Sequence, residues 1–220
     1  MKINIFTASL AIIFFLAAYP ARAYDNGDFQ IWNTNGEEVN IRKGVKFAME
    51  QEFRYGNNAS ELFYQHYDFG FVYGFDKSLD IGLFYRQLFE WNTKKWLESD
   101  EPNANATVKL DLWKFKFEDR NRIEYRHFRY THDHVRYRNR FTLKYPIDFK
   151  TIVIAPYTSD EVFVVSNSRG FNQNRFQSGL EIGLTKYMKA DVSYMLQSLR
   201  STGDKWYMAN VLWLKGRIMF

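Results

Sequence analysis

The sequence contains no cysteine. That excludes a disulfide framework and any metal site built on clustered thiolates. It also excludes an acylated-cysteine membrane anchor. Beyond the first two dozen residues no stretch approaches the ~18 consecutive apolar residues of a spanning helix, so a helical membrane protein is excluded for the rest of the chain. Phosphate-binding loops and dinucleotide fingerprints are missing, which removes nucleotide chemistry of those kinds. Histidine is scarce, with four in 220 residues.

The one long apolar run is at the start. Lys2 precedes the apolar residues 3–19, followed by Pro20 and the small-x-small triplet Ala21-Arg22-Ala23. This is the pattern of a cleaved export signal over residues 1–23, and it places the mature chain from Tyr24 onward. The net charge is +5, falling to +3 once Lys2 and Arg22 are removed. For an exported protein the acidic partner of such a charge is lipopolysaccharide phosphate, not nucleic acid. Aromatic residues make up 19% of the chain while charged residues make up 25%. A membrane barrel accommodates both, with aromatics at the interfaces and outer face and a polar lumen.

Period two dominates the rest. In 44–55, Val45, Phe47, Met49, Phe53 and Tyr55 fall on one face and Lys46, Glu50, Glu52 and Arg54 on the other, as strand geometry requires. The same sorting recurs in 61–75, 79–90, 103–113, 115–129, 134–145, 150–164, 173–186, 189–199 and 205–220, with Phe63, Phe69 and Phe71 on the apolar face of the second segment. In 150–164 the phase is ambiguous around Ser159–Glu161, where a bulge is expected. Ten such segments, each near the ~9–11 residues that span a bilayer as a tilted strand, predict an all-β fold. The expected architecture is an antiparallel transmembrane β-barrel in up-and-down meander order, ten-stranded, with twelve strands as the alternative.

Alternation alone does not distinguish this from a soluble β-protein with its apolar face inside. Connection lengths do. Asp76–Ser78, Trp113–Lys114, Pro146–Phe149 and Tyr187–Met188 are tight, whereas Gly56–Ser60, Trp91–Pro102, Tyr130–Asp133, Val165–Asn172 and Arg200–Asp204 are longer. Outer-membrane barrels alternate short periplasmic turns with longer outer loops. The chain also ends on Phe220 after alternating apolar residues, the form of a C-terminal signal read by barrel-assembly machinery. The expected location is the outer membrane of a Gram-negative-type cell, with its lipid and lipopolysaccharide as surroundings. Ten strands would put both chain ends on the periplasmic side. The barrel then occupies 44–220, and the segment 24–43 is left as an extra strand, a lumen plug or a periplasmic arm.

The polar faces concentrate charge. Glu118, Arg120, Arg122, Glu124 and Arg126 alternate on one strand, Arg136, Arg138 and Arg140 on the next, with Arg175 and Glu181 beyond. Adjacent strands lie ~4.8 Å apart, so these side chains should interlock as a lumen charge ladder, with Asp111, Asp160 and Glu181 as available partners. A ladder of this kind either braces a filled small barrel or forms an anion-selecting constriction. His132 and His134 are a weak candidate metal pair, and their loop position fits simple exposure equally well. His66 faces the lumen between Tyr64 and Asp68. A lipid-modifying enzyme would need a serine or aspartate beside His66 or His127 on a membrane-accessible face. A surface ligand-binding barrel would use the 91–102 loop. No catalytic set and no cofactor is implied.

Several stretches resemble the family called domain of unknown function 2490. They are Asp28-Phe29-Gln30-Ile31-Trp32, Asn58-Ala59-Ser60-Glu61-Leu62, Asp119 to Arg126, Arg136-Tyr137-Arg138-Asn139-Arg140, Pro156-Tyr157-Thr158-Ser159-Asp160-Glu161, and Asn174-Arg175 followed by Gly179-Leu180. The resemblance covers the mature chain and implies an outer-membrane β-barrel. It carries no catalytic residue.

Overall fold

The structure, a computed structural model, describes residues 26–149, 152–167, 169–201 and 203–220. The proposed export signal lies outside the described residues. The remainder is β throughout: β1 (Asp28–Arg42), β2 (Val45–Gly56), β3 (Glu61–Gly74), β4 (Leu79–Trp91), β5 (Trp96–Leu112), β6 (Phe115–Phe128), β7 (His134–Lys144), β8 (Ile147–Phe149), β9 (Ile152–Val165), β10 (Gly170–Gly183), β11 (Met188–Arg200) and β12 (Trp206–Met219).

Consecutive strands pair antiparallel, except that β7 and β8 both pair with β9, and the sheet closes on itself where β1 meets β12. The three residues of β8 continue β7 along β9 in the same register, interrupted at Tyr145-Pro146, where proline has no N–H to give the ladder. The barrel wall therefore has eleven strands, with β8 as an appended piece. The meander order and closed all-β wall agree with the sequence reading. The count of ten does not include β1, because the alternation in Asp28–Arg42 is masked by polar residues on its outer face. Of the segment expected as an extra strand, plug or arm, Asp28–Arg42 is thus a strand of the wall, which includes residues before 44.

An odd strand number has a geometric consequence. β1 and β12 run parallel, Asp28 beside Ala209 and Glu38 beside Met219. Phe220 locks the end of this seam: its N–H donates to Glu38 O at 2.8 Å, and its carbonyl accepts from Asn40 N at 3.0 Å. The start of β1 and the end of β12 consequently lie at opposite ends of the barrel, contrary to the parity expected of ten strands. We call these the N-terminal end and the C-terminal end.

Three local features differ from the expected alternation. The β2–β3 register shifts so that Arg54 faces Tyr64 and Tyr55 faces Leu62. Phe63 is the extra residue, and it turns inward with Tyr64 instead of outward with Phe69. The register of β9 runs unbroken through Ser159–Glu161 on both sides. The bulge lies instead in β10, where Phe171 faces Val164 and Gln173 faces Phe163. The stretch Trp96–Pro102, expected in a long loop, is strand and pairs with β4. Only Asn92–Lys95 remain as the β4–β5 connection, so the 91–102 segment is no extended binding loop.

Burial is inverted relative to a soluble protein. Leu83, Leu110, Ile123 and Phe71 are 55–65% exposed on the outer face, whereas Glu52, Glu101, Glu124 and Glu161 are at most 2% exposed inside. Aromatic pairs such as Phe47–Phe71 and Phe69–Tyr85 lie across neighbouring strands on the outer surface, where cross-strand pairing stabilises the sheet. Polar groups interrupt the outer face near mid-height of β6, β7 and β9. Asp119 accepts from Asn121 at 3.1 Å and Asn139 at 2.6 Å, and Asp160 accepts from Asn174 at 2.9 Å. These bonds offset part of the desolvation cost of such groups. Inside, Gly70 admits close approach of the wall: a Cβ there would collide with the backbone oxygen of Leu83.

Candidate functional site: the lumen

The pleat turns alternate residues of β6, β7, β9 and β10 into one interior, and three carboxylates organise it. Glu161 on β9 meets Arg120 at 3.0 Å, Arg138 at 2.9 Å and Arg175 at 3.6 Å. Glu124 on β6 meets Arg138 at 2.8 Å, Arg122 at 3.6 Å and Arg136. Glu101 on β5 takes Arg126 and also Arg136, the latter at 3.4 Å. Six guanidiniums thus share three carboxylates. Such a layer is costly to dismantle, because removing one member leaves buried charges unmatched.

Aromatic rings fill the space between the charges. Phe163, 1% exposed, receives Arg138 and Arg175 at 4.6 and 4.8 Å from its centroid. Across the lumen Arg54 lies between Trp32 and Tyr64, 3.7 Å from each ring, and pairs with Glu52 at 2.6 Å. Cation–π contacts of this kind strengthen when desolvated. Arg86 and Asp68 form a further buried pair at 2.6 Å. His66 Nδ1 lies 3.1 Å from Tyr64 Oη, with Glu50 3.4 Å from its other nitrogen.

This layer forms a waist between two chambers. Toward the C-terminal end, a cavity of about 320 Å³ is bounded by Arg54, Arg86, Arg138 and Arg175. Toward the N-terminal end a chamber of about 580 Å³ is bounded by the same four arginines from the other side.

The structure brings together Arg120, Arg122, Glu124, Arg126, Arg136, Arg138 and Arg175 at the waist. It separates Glu118 and Glu181, which instead meet Lys144 at 3.5 and 3.2 Å nearer the C-terminal end. Arg140 reaches the same region, with no carboxylate within 4 Å among the described residues. Two expected partners are elsewhere: Asp160 faces outward, and Asp111 pairs with Lys116 at the surface. The partners that sequence reasoning missed are Glu101 and Glu161. Glu101 fell in the presumed loop, and Glu161 fell where the phase was unreadable. A strand drawn from Trp96 with Pro102 on its outer face would have placed Glu101 inside.

His127 Nδ1 is 2.9 Å from Asp133 Oδ2 on the outer surface near the N-terminal end. The same carboxylate accepts from Tyr125 Oη at 2.6 Å and Phe128 N at 2.9 Å. These bonds, the one with His127 foremost, hold the Asp133 carboxyl well below the usual carboxylate range. No serine or threonine hydroxyl bonds to His127 among the described residues, so the arrangement braces the 129–133 loop without a nucleophile. His134 stacks on Phe128, with centroids 5.1 Å apart. No group of three or more metal-ligating side chains occurs among the described residues. No described helix is long and apolar enough to cross a membrane, which says nothing of strands.

The wall and its contents define a closed β-barrel with a polar, ion-paired interior. Residues 29–208 match the family described as protein of unknown function, DUF2490, and the chain belongs to that family. No curated protein matches it.

Proposed function

We propose that the protein is an outer-membrane β-barrel whose lumen is closed at the arginine–glutamate waist, and whose role is structural or ligand-holding, not that of an open pore. The observation that carries this reading is the inverted burial: leucine and phenylalanine outside, glutamate and arginine inside. In water the outer face would leave a continuous apolar belt exposed, far beyond the patches of a few hundred Å² that soluble monomers tolerate. In a bilayer the same belt is solvated by hydrocarbon. Phe220 and the tight turns belong, on this reading, to the periplasmic side, and the connections Asn57–Ser60, Asn92–Lys95 and 129–133 to the outer side. Lipid and lipopolysaccharide surround the wall, and the assembly machinery inserts it.

A porin keeps a water-filled lumen, whereas this waist is filled by six guanidiniums and Phe163. Planar-bilayer recording tests the closure. The purified protein is expected to give no steady ohmic conductance at 1 M KCl, with channel activity emerging for Glu161→Ala. Steady conductance of the unmodified protein would refute the closed lumen and favour the narrow anion channel.

A further inference from the structure

The chamber at the N-terminal end has a charge imbalance that its own wall does not resolve. Seven arginines border it against two carboxylates, Glu90 and Asp133. Asp133 is occupied by His127, Tyr125 and the Phe128 N–H. Beneath the chamber, six guanidiniums share Glu101, Glu124 and Glu161. With Glu52 and Asp68 matched to Arg54 and Arg86, and Glu90 set against Arg169, the chamber's seven arginines keep one positive charge in excess, and an unmatched cation in a low-dielectric interior is expensive.

The same chamber holds unmet hydrogen-bonding groups of both kinds. Among the described residues, Arg138 Nε, a donor, is buried without a partner, and so is Asn172 Oδ1, an acceptor. Both residues border the chamber, as does His134, whose Nε2 is also buried and unmatched. Buried polar groups are rarely orphaned in proteins, and each exception calls for a physical cause. For Asn172 the cause is the β10 bulge, which turns Asn172 and Gln173 inward together where regular pleating would send one out. Bulges commonly re-aim a side chain at a site.

We infer that this chamber binds a hydroxylated organic anion, a sugar phosphate or sugar acid, with the anionic group on Arg136, Arg138 and Arg175 and a hydroxyl donating to Asn172 Oδ1. Guanidiniums favour phosphate and carboxylate through charge-assisted bonds. Asn172 Oδ1 calls for a donor, and a sugar phosphate supplies ring hydroxyls for it while its phosphate oxygens stay on the guanidiniums, whereas inorganic phosphate has only the P–OH of the anionic group itself. Roughly 580 Å³ accommodates a monosaccharide derivative. The inference does not depend on what surrounds the barrel, since every residue involved faces inward.

Titration calorimetry on the full protein in detergent micelles tests it, with glucose 6-phosphate, glucuronate, glucose, inorganic phosphate and diphosphoryl lipid A as probes. Glucose 6-phosphate is expected to bind saturably and inorganic phosphate more weakly, while glucose alone should not bind. Arg175→Gln should weaken glucose 6-phosphate at least ~tenfold, the order of a lost charge-assisted bond. Asn172→Ala should weaken glucose 6-phosphate and leave inorganic phosphate unchanged. Arg217→Gln, at the other end of the lumen, should change neither. Competition by lipid A would identify a lipid headgroup as the source, and binding of the soluble probes without such competition a free metabolite. Absence of saturable binding by every anionic probe, or equal affinity in folded Arg175→Gln, would overturn the inference. Equal affinity for inorganic phosphate and glucose 6-phosphate would overturn its hydroxyl half.

Discussion

At the residue scale, stability rests on a few carboxylates that each hold several guanidiniums. Glu161 is the clearest, since Arg120, Arg138 and Arg175 all converge on it. Glu161→Gln is expected to destabilise the barrel by ~3–5 kcal/mol, the range for breaking a buried ionic cluster. Asp111→Asn removes an exposed pair with Lys116 and should cost less than ~1 kcal/mol. Urea unfolding in micelles, followed by tryptophan fluorescence, compares the two, and equal midpoints would refute the distinction. Asp133 supplies a pH signature outside the wall. Its carboxyl is depressed in the folded state, so its contribution is complete above the ordinary aspartate range. That contribution is lost as pH falls through the lower folded value. The protection factor of the Phe128 N–H, its exchange relative to the intrinsic rate at the same pH, is expected to be high at neutral pH and to fall in strong acid, and Asp133→Asn should show the low protection at neutral pH already. Slow exchange in the variant would show that the carboxylate does not hold the loop.

At the element scale, most of the wall was legible in the sequence. Val45 to Tyr55, Val135 to Leu143 and Phe176 to Leu184 alternate cleanly, and their apolar residues lie outside as expected. What misled the reading was polarity on outer faces. Asn33, Asn35 and Glu37 hid β1, and Glu98, Asp100 and Pro102 made the start of β5 resemble a loop. Bulges were invisible for a different reason: one extra residue reverses which side chains point in, and only the partner strand reveals it, as at Phe63 and Asn172. Including β1 makes the strand number odd and the closing seam parallel, and this has an external consequence. Epitope tags placed before Asp28 and after Phe220 are expected on opposite sides of the membrane in intact cells. Antibody accessibility on the same side for both would contradict the parallel seam and favour an even-numbered wall.

At the scale of the whole molecule, the interior was only half readable. The arginines of β6 and β7 and Glu124 announce themselves by alternation, but the other two carboxylates that pair with them, Glu101 and Glu161, come from β5 and β9, where the pattern was ambiguous. Long-range register decides which charges meet, and local pattern does not contain it. The central claim is that hydrocarbon meets the outside of this wall while the charges look inward. Because the chain has no cysteine, single labels can be introduced without background. Spin labels at Leu83→Cys and Leu110→Cys, in protein reconstituted into lipid vesicles, should be relaxed strongly by oxygen and weakly by an aqueous nickel chelate. Labels preferentially relaxed by the nickel chelate at both positions would contradict the account.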